Sequence, residues 1–79
     1  MLIYAIDNEL FVHADRVVEE GRLTVVNVEH EVVENIELHR DNFFCLKLDI
    51  PTGKYLIRLT CAGAQIEKSV FIKRVANGS

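Results

Sequence analysis

The chain reads as an all-β protein, a seven-stranded antiparallel immunoglobulin-like β-sandwich. Three observations carry that reading. No run of eleven or more residues shows helical apolar spacing. About seven short apolar-rich segments are divided by turn signals, the pattern of a sandwich or barrel. Every connection is short, which favours antiparallel neighbours over parallel crossovers.

The predicted strands are Leu2–Ile6, Glu9–Ala14, Arg22–Glu29, Val32–Leu38, Phe43–Asp49, Lys54–Cys61 and Gln65–Arg74. Asp7-Asn8 separates the first two as a tight turn. Glu20-Gly21 reads as another turn, with Gly21 free to take positive φ. His39-Arg40-Asp41-Asn42 reads as a polar loop. Pro51-Thr52-Gly53 reads as a turn in which Pro51 presets φ. Ala62-Gly63-Ala64 turns the chain back into its last strand. Val25, Val26, Val28, Val32, Val33, Ile57, Val70 and Ile72 supply the β-branched side chains that suit a pleated, half-buried surface. Two packed antiparallel sheets cover this much apolar surface most economically.

Seventy-nine residues make one domain, expected over residues 1–74, with 75–79 a flexible tail. A chain of this size buries only ~60% of its unfolded surface, so its core is thin. Its 49% hydrophobic content sets it apart from disordered chains.

The net charge of −3 is unevenly spread. Residues 1–52 hold four Lys/Arg against eleven Asp/Glu, a net of −7. Residues 53–79 hold five Lys/Arg against Glu67 alone, a net of +4. An acidic body with a basic end argues against nucleic acid as the main partner, because phosphate binding needs a wide basic face.

Two cysteines make no disulfide framework. Phe44, Leu46 and Leu48 share one strand face, which puts Cys45 with Lys47 on the other. Cys61 shares the apolar face of Tyr55, Ile57 and Leu59. Opposite faces argue against a Cys45–Cys61 bridge. Cys61 is expected as a small core residue and Cys45 as a half-exposed free thiol. Adjacent strand residues face opposite ways, so one ring of Phe43-Phe44 lies outside the core. An exposed Phe beside Cys45 would mark a contact surface; cover by an edge or loop is the other reading.

No apolar stretch reaches membrane-spanning length. Met1 leads directly into Leu2-Ile3-Tyr4 with no charged-then-apolar leader pattern. This leaves open a cytosolic protein and a domain cut from a longer chain.

The residues give no catalytic constellation. His13, His30 and His39 pair with no Cys or second His at ligand spacing, so no metal is expected. Asp7, Glu9 and Asp15 lack the alternating Asp/Asn loop of a calcium site. Glu29, Glu31, Glu34 and Glu37 read as surface charge, because paired carboxylate chemistry needs a deep cleft. Ser69 and Ser79 lie in no nucleophile elbow, and Gly21, Gly53, Gly63 and Gly78 are too far apart for a phosphate loop. The expectation is a protein that is not an enzyme and takes no cofactor or small-molecule substrate.

Three segments carry a family resemblance. Gly21-Arg22-Leu23-Thr24-Val25-Val26-Asn27-Val28-Glu29-His30-Glu31-Val32-Val33 resembles the middle motif of the C-terminal sorting domains of the type IX secretion system. Thr52-Gly53-Lys54-Tyr55-Leu56-Ile57-Arg58-Leu59 resembles the family's Gly-x-Tyr strand. Gln65-Ile66-Glu67-Lys68-Ser69-Val70-Phe71-Ile72-Lys73 resembles its last strand, in which a Lys precedes an apolar stretch closed by another Lys. The similarity runs over roughly residues 9–74. The chain departs from the pattern at Val26, where Tyr is common, at His30, where the family has Gly, and at Glu31, where it has Lys or Arg.

The resemblance implies an immunoglobulin-like, non-catalytic signal domain at the end of a larger secreted protein. Such a domain passes through the periplasm to the outer membrane and cell surface. Its partners are the outer-membrane secretion machinery and a sortase-like protease. Gly53 and Tyr55 are motif positions with mainly structural roles: a turn conformation at Gly53, and a buried ring with a wet hydroxyl at Tyr55. Lys68, Lys73 and Arg74 are the partner-binding candidates, since charge at a terminus is cheap to present to an acidic partner. By parity Lys68 lies with Ile66, Val70 and Ile72, so it snorkels at the sheet end or sits beyond a bulge. The alternative functions are an immunoglobulin-like binding or adhesion module, and a dimerisation domain that pairs through an edge strand.

Overall fold

In the computed structural model, residues 1–75 are described. They form five antiparallel strands: β1 (Leu2–Ile6), β2 (Glu9–Val26), β3 (Val32–Lys47), β4 (Gly53–Cys61) and β5 (Ala64–Ile72). The seven strands expected from the sequence become five because two pairs fuse. Glu9–Ala14 and Arg22–Glu29 join into β2, and Val32–Leu38 and Phe43–Asp49 join into β3.

The fusion has a physical cause at Gly21, which is no turn. It is paired on both sides, opposite Leu38 of β3 and Cys61 of β4, so two ladders hold it extended. A Cβ at Gly21 would stand 3.0 Å from Val18 Cγ1 and 3.3 Å from the Thr60 carbonyl oxygen. Close approach of neighbours, rather than positive φ, is what requires glycine here. The polar run His39–Asn42 likewise stays in β3, because β2 continues across from it: His39 lies opposite Glu20, and Asp41 opposite Val18. Arg40 takes a positive φ of 37°.

β2 is the hub. β3 lies along one side of it for its whole length, while β1 pairs with its first half and β4 with its second. Between His13 and Val18 the register shifts. Four β2 residues, Ala14 to Val17, face the single β3 residue Asn42. Extra residues on one strand bend it and increase its twist. The sheet therefore curls, and its two halves face each other. Ile3, Leu10 and Val12 from the first half meet Leu23, Val25, Ile57, Leu59, Val70 and Ile72 from the second in one buried cluster. One backbone bond fastens the curl, from the Lys73 amide to the Asp7 carbonyl at 2.9 Å; the Leu48 amide, 2.9 Å from the Asn8 carbonyl, extends the β2–β3 ladder by one more pair. The molecule's shortest extent, 17 Å, accommodates two such layers about 10 Å apart.

Turn chemistry matches the sequence unevenly. The two-residue hairpins at Asp7-Asn8 and Ala62-Gly63 have positive φ at Asp7 (53°), Ala62 (48°) and Gly63 (76°). Gly63 fits its position, whereas Ala62 occupies a left-handed conformation that a Cβ disfavours. Between β2 and β3, Asn27 organises the turn. Its Oδ1 accepts from the Glu29 and Glu31 amides at 2.9 Å, and its Nδ2 donates to Glu31 Oε1 at 3.2 Å. His30 takes a positive φ of 65°. Gly53 does not supply the expected turn conformation. It opens β4 without positive φ, and a Cβ there would meet only Tyr55 Cε2 at 3.9 Å. The flexible tail expected at 75–79 falls, beyond exposed Val75, outside the described residues.

Candidate interaction surface

Residues directly opposite one another on neighbouring strands share a sheet face. In the first half of the sheet this rule builds three rows on the side away from the core. They are Leu2–His13–Phe43, Tyr4–Phe11–Cys45 and Ile6–Glu9–Lys47. The core-facing alternates Ile3, Leu10 and Val12 are buried, so parity drives every ring of these rows outward. Leu2 is 54% exposed, Ile6 58% and Phe43 43%. Tyr4 and Phe11 are half-buried. Four ring side chains and two large aliphatics thus share one solvent-facing surface.

The ring geometry decides what that surface offers. Tyr4 and Phe11 have centroids 5.1 Å apart and planes within 17°. Coplanar neighbours would collide at that separation, and it nearly equals the spacing of adjacent strands. The rings therefore stand on edge, stacked across the sheet. Tyr4 stacks against His13 as well, at 5.6 Å, and His13 tilts onto Phe43 at 4.6 Å. The Tyr4 hydroxyl lies 3.2 Å from His13 Nε2, which fixes both rings. With Leu2 and Ile6 beside the rings, the surface offers aromatic and aliphatic side chains together.

Glu9 and Cys45 close one side. The Cys45 thiol donates to Glu9 Oε2 at 3.3 Å. That hydrogen bond to the carboxylate, with smaller contributions from desolvation and the negative charge itself, raises the thiol pKa above its ordinary value. Cys45 is a free thiol held in its protonated form. Cys61 is also free and only half-buried, on the other half of the sheet, so no bridge joins the two.

The basic residues expected to bind a partner are not gathered into one patch. Lys68 lies opposite Ile57 in an unbroken β4–β5 register, so no bulge displaces it. Its side chain is exposed on the sheet edge. Lys73 follows β5, five residues and about 17 Å of extended chain further on, and its odd spacing puts it on the opposite face. Arg74 is engaged within the molecule. Its guanidinium lies 3.4 Å from Asp49 Oδ1, and its amide donates to Thr52 Oγ1 at 2.9 Å. Tyr55 begins the buried face as expected, and its hydroxyl donates to the Pro51 carbonyl four residues upstream. His30 lies in the turn between β2 and β3, and His39, expected in a polar loop, lies within β3.

A cleft of about 790 Å³ lies at the bend of β2, bordered by Asp15, Arg16, Glu19, Arg40, Cys61 and Ile66. Two of its three acids have cationic neighbours: the Met1 ammonium meets Asp15 at 3.0 Å, and Arg40 meets Glu19 at 3.6 Å, while Glu20 makes no ion pair among the described residues. No set of catalytic groups converges there.

No family model matches this sequence, and no curated protein matches it.

Sequence reading found Phe43 and the free Cys45 but missed the surface around them. The signal was present as alternation. Leu2, Tyr4 and Ile6 share one parity in β1, and Phe11 and His13 share one in β2. What the sequence lacked was the pairing register that sets these residues side by side.

Proposed function

We propose that this chain is a non-catalytic interaction domain that binds a protein partner through the outer face of β1, β2 and β3. The supporting observation is the outward-facing ring cluster of half-buried Tyr4 and Phe11 with exposed His13 and Phe43, flanked by exposed Leu2 and Ile6. Exposed apolar side chains collected on one face of a small domain mark contact surfaces, whereas scattered ones need no explanation. Upright rings with satisfied hydroxyl and imidazole groups supply the rigid aromatic anchors on which protein contacts concentrate. The sandwich expected from the sequence enters this proposal in a reduced form. Two facing halves of one curled sheet stand in for the two sheets of an immunoglobulin-like module, and the rings line the outside of one half.

A photo-crosslinking phenylalanine analogue at position 43 tests the reading in the cells that make the protein. An adduct from position 43 that is absent from Gln65, and is lost in Leu2→Ser/Ile6→Ser, supports it. Equal adducts from both positions would reject it.

The second reading is the secretion-sorting domain that the sequence resembles, carried on a larger secreted protein and read by outer-membrane machinery. The observation favouring it is that Lys68 and Lys73 are exposed and form no ion pair among the described residues. Deleting residues 65–74 is a poor test, because Val70 and Ile72 are buried in the core. Lys68→Glu/Lys73→Glu leaves that core intact. In a cargo fusion the reversal should strand the cargo in the periplasm; undiminished secretion would sink the reading.

A further inference from the structure

The free edge of β3 has a chemistry of its own. β3 pairs only with β2, so one edge of a sixteen-residue strand has no partner strand among the described residues. Four of the side chains packed against the core but only half-covered lie on it: Val33, Ile36, Phe44 and Leu46. The core is thinnest along this edge.

The hairpin fixes which backbone groups the edge presents. A two-residue turn makes Ile6 and Glu9 a hydrogen-bonded pair, so the amides of Glu9, Phe11 and His13 point to β1. Those of Leu10 and Val12 then point to β3, where they meet Leu46 and Phe44. By alternation the backbone groups of Phe43, Cys45 and Lys47 face outward. Two hydrogen bonds agree with this assignment: the Phe43 amide is met by Asp41 Oδ1 at 3.3 Å, and the Leu48 amide turns inward to the Asn8 carbonyl at 2.9 Å.

The two ends of β3 differ as edges. The Val32–Asp41 end carries Glu34, Glu37, Arg40 and Asp41, charges of the kind that blunt strand edges. Phe43-Phe44-Cys45-Leu46 has no charge and no proline. We propose that this segment pairs with the same segment of a second copy, antiparallel, with the two-fold axis at Cys45.

That register is self-complementary. Cys45 faces Cys45 of the second copy, with both backbones offering outward groups. Phe44 faces Leu46 on the core side and extends the half-covered apolar layer. Phe43 faces Lys47 on the outer side, where an ammonium lies favourably against a ring. Within Phe43–Lys47 no like charges stand opposite each other; just beyond it Asp41 faces Asp49, which the Arg74 guanidinium meets at 3.4 Å. The product is a continuous six-stranded outer face in which the two ring clusters join. The contact spans five residues on each side, well short of a standard interface, so association is reversible and concentration-dependent. The inference does not rest on the partner-binding reading above, because it uses the β3 backbone rather than the outward rings.

Sedimentation equilibrium of the intact chain under reducing conditions, from about 1 to 500 µM, reads the association. The expected result is a monomer–dimer equilibrium. Cys45→Pro removes an outward N–H and should abolish the dimer, while Cys45→Ser keeps it. Phe43→Lys sets two ammonium groups opposite each other and should weaken the dimer at least tenfold; Phe43→Glu, facing Lys47, should restore it. A short bis-maleimide should join two chains through Cys45. Circular dichroism of each variant confirms that it remains folded. A monomer across the whole range overturns the inference. So does a dimer that is indifferent to Cys45→Pro and Phe43→Lys but lost on Leu2→Ser/Ile6→Ser, which would place the contact on the outer face.

Discussion

The amide of Lys73 donates to the carbonyl of Asp7 at 2.9 Å, joining the end of β5 to the turn between β1 and β2. The two residues are at opposite ends of the chain and belong to opposite halves of the sheet. Their bond marks where the curl closes, with Ile72 buried immediately beside it. It also explains why the basic C-terminal segment is part of the architecture: Arg74 continues the closure through Asp49 and Thr52.

Closure makes the two halves one cooperative unit. Ile72→Ala removes a fully buried side chain at the seam and should cost about 2–5 kcal/mol. A small domain is stable by only about 5–15 kcal/mol, so this variant should be much closer to unfolding. Urea melts followed by tyrosine fluorescence and by circular dichroism should shift together. A separate loss of one half would show that the closure does not couple them.

Two of the four non-glycine residues with positive φ are tested most directly by substitution. Ala62 and His30 have φ of 48° and 65°. Ala62→Asn and His30→Gly should each stabilise the fold by about 1 kcal/mol, because they relieve left-handed strain. Thermal midpoints should rise in both and add in the double variant, since the turns lie at different loops.

The glycines should respond oppositely to the same substitution. Gly21→Ala drives a methyl against Val18 Cγ1 and the Thr60 carbonyl, and should destabilise by about 1–3 kcal/mol. Gly53→Ala places it 3.9 Å from the Tyr55 ring with φ unstrained, so its stability should stay within about 0.5 kcal/mol of the parent. Equal losses at both would show that Gly53 has a role beyond packing.

Cys45 should react slowly for an exposed thiol. Its pKa is raised, first by the hydrogen bond to Glu9, so at any pH below that value it holds less thiolate than a free cysteine. Alkylation rates measured from pH 7 to 10 should place its midpoint above that of a model thiol. Glu9→Gln removes the negative acceptor and should move the midpoint down and the neutral-pH rate up. An unchanged profile would exclude Glu9 as the cause.

Alternation and turn residues by themselves determined much of this protein. Period-two patterning made it all-β, placed Phe44, Leu46 and Leu48 toward the core with Cys45 away from it, and put Tyr55, Ile57 and Leu59 on one buried face. The Asp7-Asn8 and Ala62-Gly63 turns were also readable, because hairpin chemistry is local. Tertiary pairing decided the rest. Glu20-Gly21 looks like a turn until strands on both sides hold it extended. His39–Asn42 looks like a loop until β2 runs across from it, and so seven segments become five strands. The ring cluster is non-local in the same way: Tyr4, Phe11, His13 and Phe43 are spread over forty positions, and only the register of three strands sets them side by side. A sequence specifies which way each side chain faces along its own strand. Which side chain it faces across the gap is set by bends, bulges and ladder hydrogen bonds, which no single segment contains.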